Sequence, residues 1–148
     1  MANLVYNYAK QAILAGSFNM GSSTSTWPMR IFCMLVGSGY AANDDTHIYR
    51  SAVTNEITGT YTAGGFALST PTVAYNTSTN QGVFDAADVL LATVTFGTAV
   101  RAAVLYGSSG LGAAADPLLC YVDFGSDLAV TAGTFQITWA AGGILAIT

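Results

Sequence analysis

The chain has 148 residues, of which four are basic and eight acidic, so 8% carry charge where an ordinary soluble domain has about 25%. Hydrophobic residues make up 52% and the mean hydropathy is +0.47, a balance opposite to that of a disordered chain. With net charge −4, and with Lys10, Arg30, Arg50 and Arg101 far apart along the chain, the sequence lacks the clustered Lys and Arg that a nucleic-acid surface needs.

The length suits one domain covering residues 1–148. Residues 1–16 form the one segment with a helical look. Asn3 is placed to cap it, Leu4, Tyr8 and Ala12 recur on one face, and Gly16 is placed to end the last turn. Residues 22–27 follow as a Ser/Thr-rich loop ending in Trp27-Pro28.

Everything after this loop reads as β-structure. Strands are predicted at residues 30–36, 47–58, 66–75, 83–84, 89–96, 99–106, 117–124, 134–140 and 144–147. Pro71 makes the third of these an edge or a broken strand. Turns fall at Asn76-Thr77-Ser78-Thr79-Asn80, Gly107-Ser108-Ser109-Gly110, Gly125-Ser126-Asp127 and Ala141-Gly142-Gly143. Short strands with no interleaved helices predict an all-β fold, an antiparallel β-sandwich of jelly-roll type with a short N-terminal helix. No stretch of about 18 apolar residues and no secretory leader is visible, so the chain is expected to be made and kept in a cytosol. Cys33 and Cys120 both lie in apolar runs and read as small buried hydrophobes.

Residues 99–106 and 118–122 are apolar on both faces. One face can serve the core, and a neighbouring subunit is the simplest cover for the other.

Chemistry-bearing residues are few. His47 follows Asp44-Asp45-Thr46, but one histidine does not make a metal site, and no Gly-x-Ser-x-Gly motif supplies a nucleophile. Asn43-Asp44-Asp45 reads as a turn leading into a strand with His47 at its mouth. Asp85 with Asp88, and Asp123 with Asp127, have turn compositions, and no calcium loop is present. The glycine-rich stretches at residues 59–65 and 107–112 lack the Lys-Ser/Thr of a phosphate loop and read as loops needing positive φ. Tyr40, Tyr49, Tyr61, Tyr75, Trp27 and Trp139 could stack on sugars or bases, but without accompanying charge they read as packing residues. No enzyme activity, cofactor or metal is expected.

The order of short motifs along the chain carries a resemblance. Leu4-Val5-Tyr6-Asn7 with Lys10 leads to residues 31–36, then to Tyr40 and Asn43-Asp44-Asp45-Thr46-His47. Val53-Thr54-Asn55-Glu56, Gly59-Thr60-Tyr61-Thr62-Ala63-Gly64-Gly65 and Gly82-Val83-Phe84-Asp85-Ala86-Ala87-Asp88 follow. The series closes on Ala102-Ala103-Val104-Leu105-Tyr106, Tyr121-Val122-Asp123-Phe124-Gly125, residues 133–139 and Gly143-Ile144-Leu145-Ala146-Ile147. Over nearly its whole length the chain resembles small virion structural proteins of tailed bacteriophages.

That resemblance implies a non-enzymatic capsid cement or decoration protein, made in the host cytoplasm and placed on the capsid exterior. Its partners would be itself, as a homotrimer or homodimer, and the major capsid protein, with neither nucleic acid nor membrane. A tail or neck component is the alternative, and a glycan-binding receptor module a further one. The interface residues expected on this reading are Leu4, Tyr8, Ala12 and Trp27.

Overall fold

A computed structural model of the chain describes residues 4–20 and 29–148. Asn3, Trp27 and the rest of the loop at 22–27 lie outside the described residues. The fold is mostly β, with antiparallel sheets and one short helix. The chain starts with β1 (Leu4–Val5) and α1 (Asn7–Leu14), and β2 (Arg30–Val36) then opens the central sheet. The strands that follow are β3 (Phe66–Ala67), β4 (Thr72–Asn76), β5 (Gln81–Asp85), β6 (Val89–Val94), β7 (Val100–Ser108), β8 (Leu118–Leu128), β9 (Gly133–Ile137) and β10 (Leu145–Ile147). They form a five-stranded sheet in the order β1-β8-β7-β2-β3, a three-stranded sheet β10-β5-β4 and a two-stranded sheet β6-β9.

The apolar run Arg30–Val36 forms the strand its composition predicts. It pairs along its whole length with β7, from Arg30 opposite Ser108 to Val36 opposite Ala102. Pro71 breaks the strand predicted over residues 66–75 into β3 and β4, and β4 lies at a sheet edge where a missing N–H is tolerated.

Three expectations are corrected. Leu4 and Val5 belong not to the helix but to β1, which pairs with Tyr121 and Cys120. The helix starts at Asn7, after an extended Tyr6 and without a side-chain cap. Residues 47–58 are not a strand, because they hold only a 3-10 turn at Arg50–Ala52 and isolated bridges of Tyr49 to Pro117 and Glu56 to Val36. Gly125-Ser126-Asp127 does not end a strand either. It is a bulge inside β8, where the pairing with β7 passes from Ala102–Asp123 to Val100–Leu128 and Gly125 takes φ +83°.

The central strands are covered on both sides by their own chain. Residues 102–106 are buried without a break, although successive side chains point to opposite faces. In one row, Met34–Val104–Tyr121, the first two side chains are buried and the Tyr121 ring lies 6.1 Å from that of Tyr40. The alternate rows, Cys33–Leu105–Cys120 and Leu35–Ala103–Val122, join the core that takes in Phe84, Phe135, Ile137, Trp139 and Ile144. A side chain such as Leu105, removed from water altogether, contributes roughly 1.5–3 kcal/mol. The two-faced apolar strands therefore need no second subunit. What remains outside is a scatter of large apolar residues: Leu14, Ile48, Val73, Tyr75, Leu90, Leu111, Leu128 and Ile147.

Cys33 and Cys120 are both free and fully buried. Each stands opposite Leu105, one on either side of β7, so they are two strand spacings, about 10 Å, apart. A disulfide needs Cα atoms within about 7 Å.

Among the described residues no helix is long and apolar enough to cross a membrane.

Candidate functional site

Three clusters gather many of the charged and polar side chains, and each is tied to the scaffold. The most buried centres on Asp116, only 2% exposed, which precedes β8. Its Oδ2 accepts from Arg50 Nε and pairs with Arg50 Nη2, both at 3.1 Å. Its Oδ1 accepts from Ser109 N at 2.9 Å and from Ser109 Oγ at 3.1 Å. The Arg50 guanidinium sits 5.0 Å from the centre of the Tyr106 ring. That ring stacks on Phe32, and its hydroxyl donates to the Gly64 carbonyl. Gly64 N–H in turn donates to Glu56. Burial pushes the Tyr106 phenol up to about 12. The cluster binds residues 49–65 to β7 and to the start of β8.

The second cluster occupies the β8 bulge. Arg101 Nε donates to Asp123 Oδ1 at 2.6 Å, Arg101 Nη2 donates to Asp123 Oδ2 at 3.2 Å, and Asp127 lies 3.8 Å from Nη1. The Arg101 hydrogen bonds, helped by Gly125 N–H, hold the Asp123 carboxyl below the usual carboxylate range. Two carboxylates that sequence alone leaves as a turn thus close around one cation.

The third cluster contains the sole histidine. The Tyr6 and Tyr40 hydroxyls are 2.9 Å apart, and Tyr40 OH is 2.9 Å from His47 Nδ1, with the Tyr40 and His47 rings stacked. The expected turn before His47 is present, since Asn43 Oδ1 accepts from the N–H of Asp45 and of Thr46. Asp45 Oδ1 accepts from Asn7 Nδ2, which ties this turn to the start of α1. Burial, with the Tyr40 contact, pushes the Tyr6 phenol far up.

Asp88 Oδ1 accepts from Trp139 N–H, while the indole donates to Ala87 O, so that carboxylate fastens the end of β9. Asp85 Oδ1 is buried without a hydrogen-bond partner, beside a groove of about 370 Å³ that Thr72, Asn76 and Gly142 also line. A second groove, of about 440 Å³, runs between β8 and β9 past Phe124, Phe135, Gln136 and Thr138. Among the described residues no group of three or more His, Cys, Asp or Glu side chains could hold a metal ion.

The expected interface residues take different positions. Leu4 is half-buried opposite Tyr121, and Tyr8 is half-buried with its ring 5.7 Å from that of Tyr49. Ala12 is buried, and its carbonyl accepts from the N–H of Ser17 and Phe18 and from Ser17 Oγ. The apolar residue that α1 turns outward is Leu14, 88% exposed. Tyr40 and Trp139 are buried, Tyr61 packs against the core with its hydroxyl accepting from Leu35 N–H, and Tyr49 is half-buried. Tyr75 alone among the described aromatic candidates stands out, 84% exposed.

Asp116 and its partners carried no local signal, because Arg50 is distant in sequence. The only hint was a single carboxylate among apolar residues just before Pro117. Comparison with protein-family models, with curated proteins and with solved structures finds no match.

Proposed function

We propose that this chain is a non-enzymatic structural protein of a bacteriophage virion, a capsid cement or decoration protein that binds the outer shell as a homo-oligomer and stabilises the contacts between capsomers. The observation that carries this reading is how the charged groups are used. Arg50, Arg101, Asp116, Asp123 and Asp88 are spent on contacts between segments of their own chain, while the exposed residues include uncharged and apolar ones suited to protein contact. The resemblance along the chain supports the virion setting. A jelly-roll sandwich is the finer reading of the fold. It is supported by the path of the chain, which leaves the central sheet after β3, builds β4–β6 in the other two sheets, and returns at β7 beside β2.

A protein that binds only the assembled shell stabilises it by mass action. Heads assembled without this protein should disrupt at lower temperature than complete heads and recover when the purified protein is added. Equal thermal and mechanical stability would overturn the cement role, and density for the protein on the tail of an intact particle would assign it there. The groove between β8 and β9 gives the glycan-binding alternative a place to be tested, and binding on a glycan array that Asp123→Asn abolishes would favour it.

A further inference from the structure

We propose that the outer edge of β4 is the self-association surface of this protein, pairing antiparallel with β4 of a second copy about a two-fold axis at Ala74. This rests on the homo-oligomer part of the proposed function and does not depend on where in a virion the protein sits.

Edge strands present unpaired N–H and C=O groups, and proteins that stay apart usually protect them with charge, proline, bulges or brevity. The other strands at the ends of the sheets are short or irregular. β1 and β3 have two residues each and β10 has three. β6 loses its register between Leu91 and Val94, where Thr93 takes φ +55°. β9 shares that break in register, which falls opposite Thr134, so neither strand of the pair offers an unbroken edge. By contrast β4 has five residues in unbroken register with β5, from Thr72–Asp85 to Asn76–Gln81, and every one of them is exposed. Its sequence Thr-Val-Ala-Tyr-Asn contains neither charge nor proline, and Pro71 stands just before it.

The occupant follows from the order of those five side chains. Antiparallel pairing about Ala74 sets Val73 opposite the partner's Tyr75 and Thr72 opposite the partner's Asn76, with Ala74 facing its own copy. Apolar thus meets apolar, polar meets polar, and the smallest side chain lies on the axis. β-Branched residues opposite aromatics are among the favourable cross-strand pairs, and no like charges are brought together. The apolar row also continues on both sides of the seam. Tyr75 stands beside Gly82 and Ile147 in register, and Val73 beside Phe84 and Leu145. Gly82 lies in mid-strand, where a Cβ would meet nothing, so no close contact within the chain requires a glycine there. It leaves the flank of Tyr75 open. An unrelated extended segment could use the same N–H and C=O groups, but nothing would then require this mirrored order of side chains. The edge is short against the roughly 800 Å² per partner of a standard interface, so association should depend on concentration.

The test is a charge-swap pair at the axis, read by sedimentation over a concentration series of the full chain. Wild type should rise from monomer to dimer mass. Ala74→Lys and Ala74→Glu should each remain monomeric over the same range, because each sets like charges face to face. Mixed in equal amounts, the two should regain the dimer mass, as only a two-fold axis at residue 74 places that residue against itself. Both variants should melt within a few degrees of wild type, since Ala74 is exposed. An oligomer that survives Ala74→Lys would overturn the β4 edge and leave the homo-oligomer reading standing, and wild type that stays monomeric throughout would overturn both. Monomeric variants whose mixture stays monomeric would overturn the two-fold register.

Discussion

Removing the Asp116 carboxylate should be among the most damaging single changes to this fold. Asp116→Ala leaves Ser109 N–H without its acceptor and Arg50 without its counter-charge. A buried donor left unpaired costs about 1–3 kcal/mol, and breaking a buried ion pair costs about 3–5 kcal/mol. The Arg50 side chain remains a quarter exposed, so water recovers part of the loss, and the total should fall at the low end, about 3 kcal/mol. For a chain of this size each kcal/mol moves the midpoint by roughly 2–4 °C, so a fall of about 6–12 °C is expected. Asp116→Asn keeps an acceptor for Ser109 and loses only the charge facing Arg50, so it should fall about half as far. Arg50→Met combined with Asp116→Ala should cost less than the sum of the single changes, by roughly 0.5–3 kcal/mol. Thermal melts and urea unfolding of wild type, the two Asp116 variants, Arg50→Met and the double variant measure all of this. A shift under about 2 °C for Asp116→Ala, or strict additivity in the double variant, would refute the reasoning.

Three further outcomes are expected. Burial pushes the Cys33 thiol far up and the Cys120 thiol up to about 12, so neither should react with a thiol reagent at pH 8 until the protein unfolds, when both should. Rapid reaction of either in native buffer would contradict this burial. Gly65→Ala should destabilise by about 3 kcal/mol or more, because Gly65 has φ +84° and an added Cβ would run into the Cys33 carbonyl, and an unchanged urea midpoint would count against that close approach. Asp123 has a folded pKa below its unfolded value, so its contribution is present above about pH 4 and is lost as pH falls through the lowered value. The melting curves of wild type and Asp123→Asn should therefore differ at neutral pH and converge in strong acid, more closely still at high salt. A difference that persists unchanged in strong acid would rule out this linkage.

Much of the strand order was legible because strand composition is local. Arg30–Val36 announces itself by the unbroken apolar run Ile31–Val36 before Gly37, and Pro71 marks the break before β4. Residues 47–58 misled for the same reason, since Ile48, Tyr49, Val53 and Ile57 scattered among polar residues look like a half-buried strand. They instead form an irregular cover over β7, held by Arg50 on Asp116 and by Tyr49 bridged to Pro117. The β8 bulge misled too, because Gly125-Ser126-Asp127 has a turn composition and only Arg101, on the neighbouring strand, explains why the strand continues past it. The mirrored order of side chains in β4 was on view from the start, and its meaning depended on finding that strand at an open edge.

The pairing of β2 with β7 joins residues 30–36 to residues 102–108, and β1 joins residues 4–5 to residues 120–121. Neither ladder can close until most of the polypeptide has left the ribosome, so the first strand must wait for nearly the last. Folds dominated by such distant contacts assemble in milliseconds to seconds, and not in microseconds. During that delay a nascent chain this rich in apolar residues and this poor in charge is exposed to its neighbours. Its yield in a cell should therefore depend on synthesis rate and temperature more steeply than its final stability would suggest.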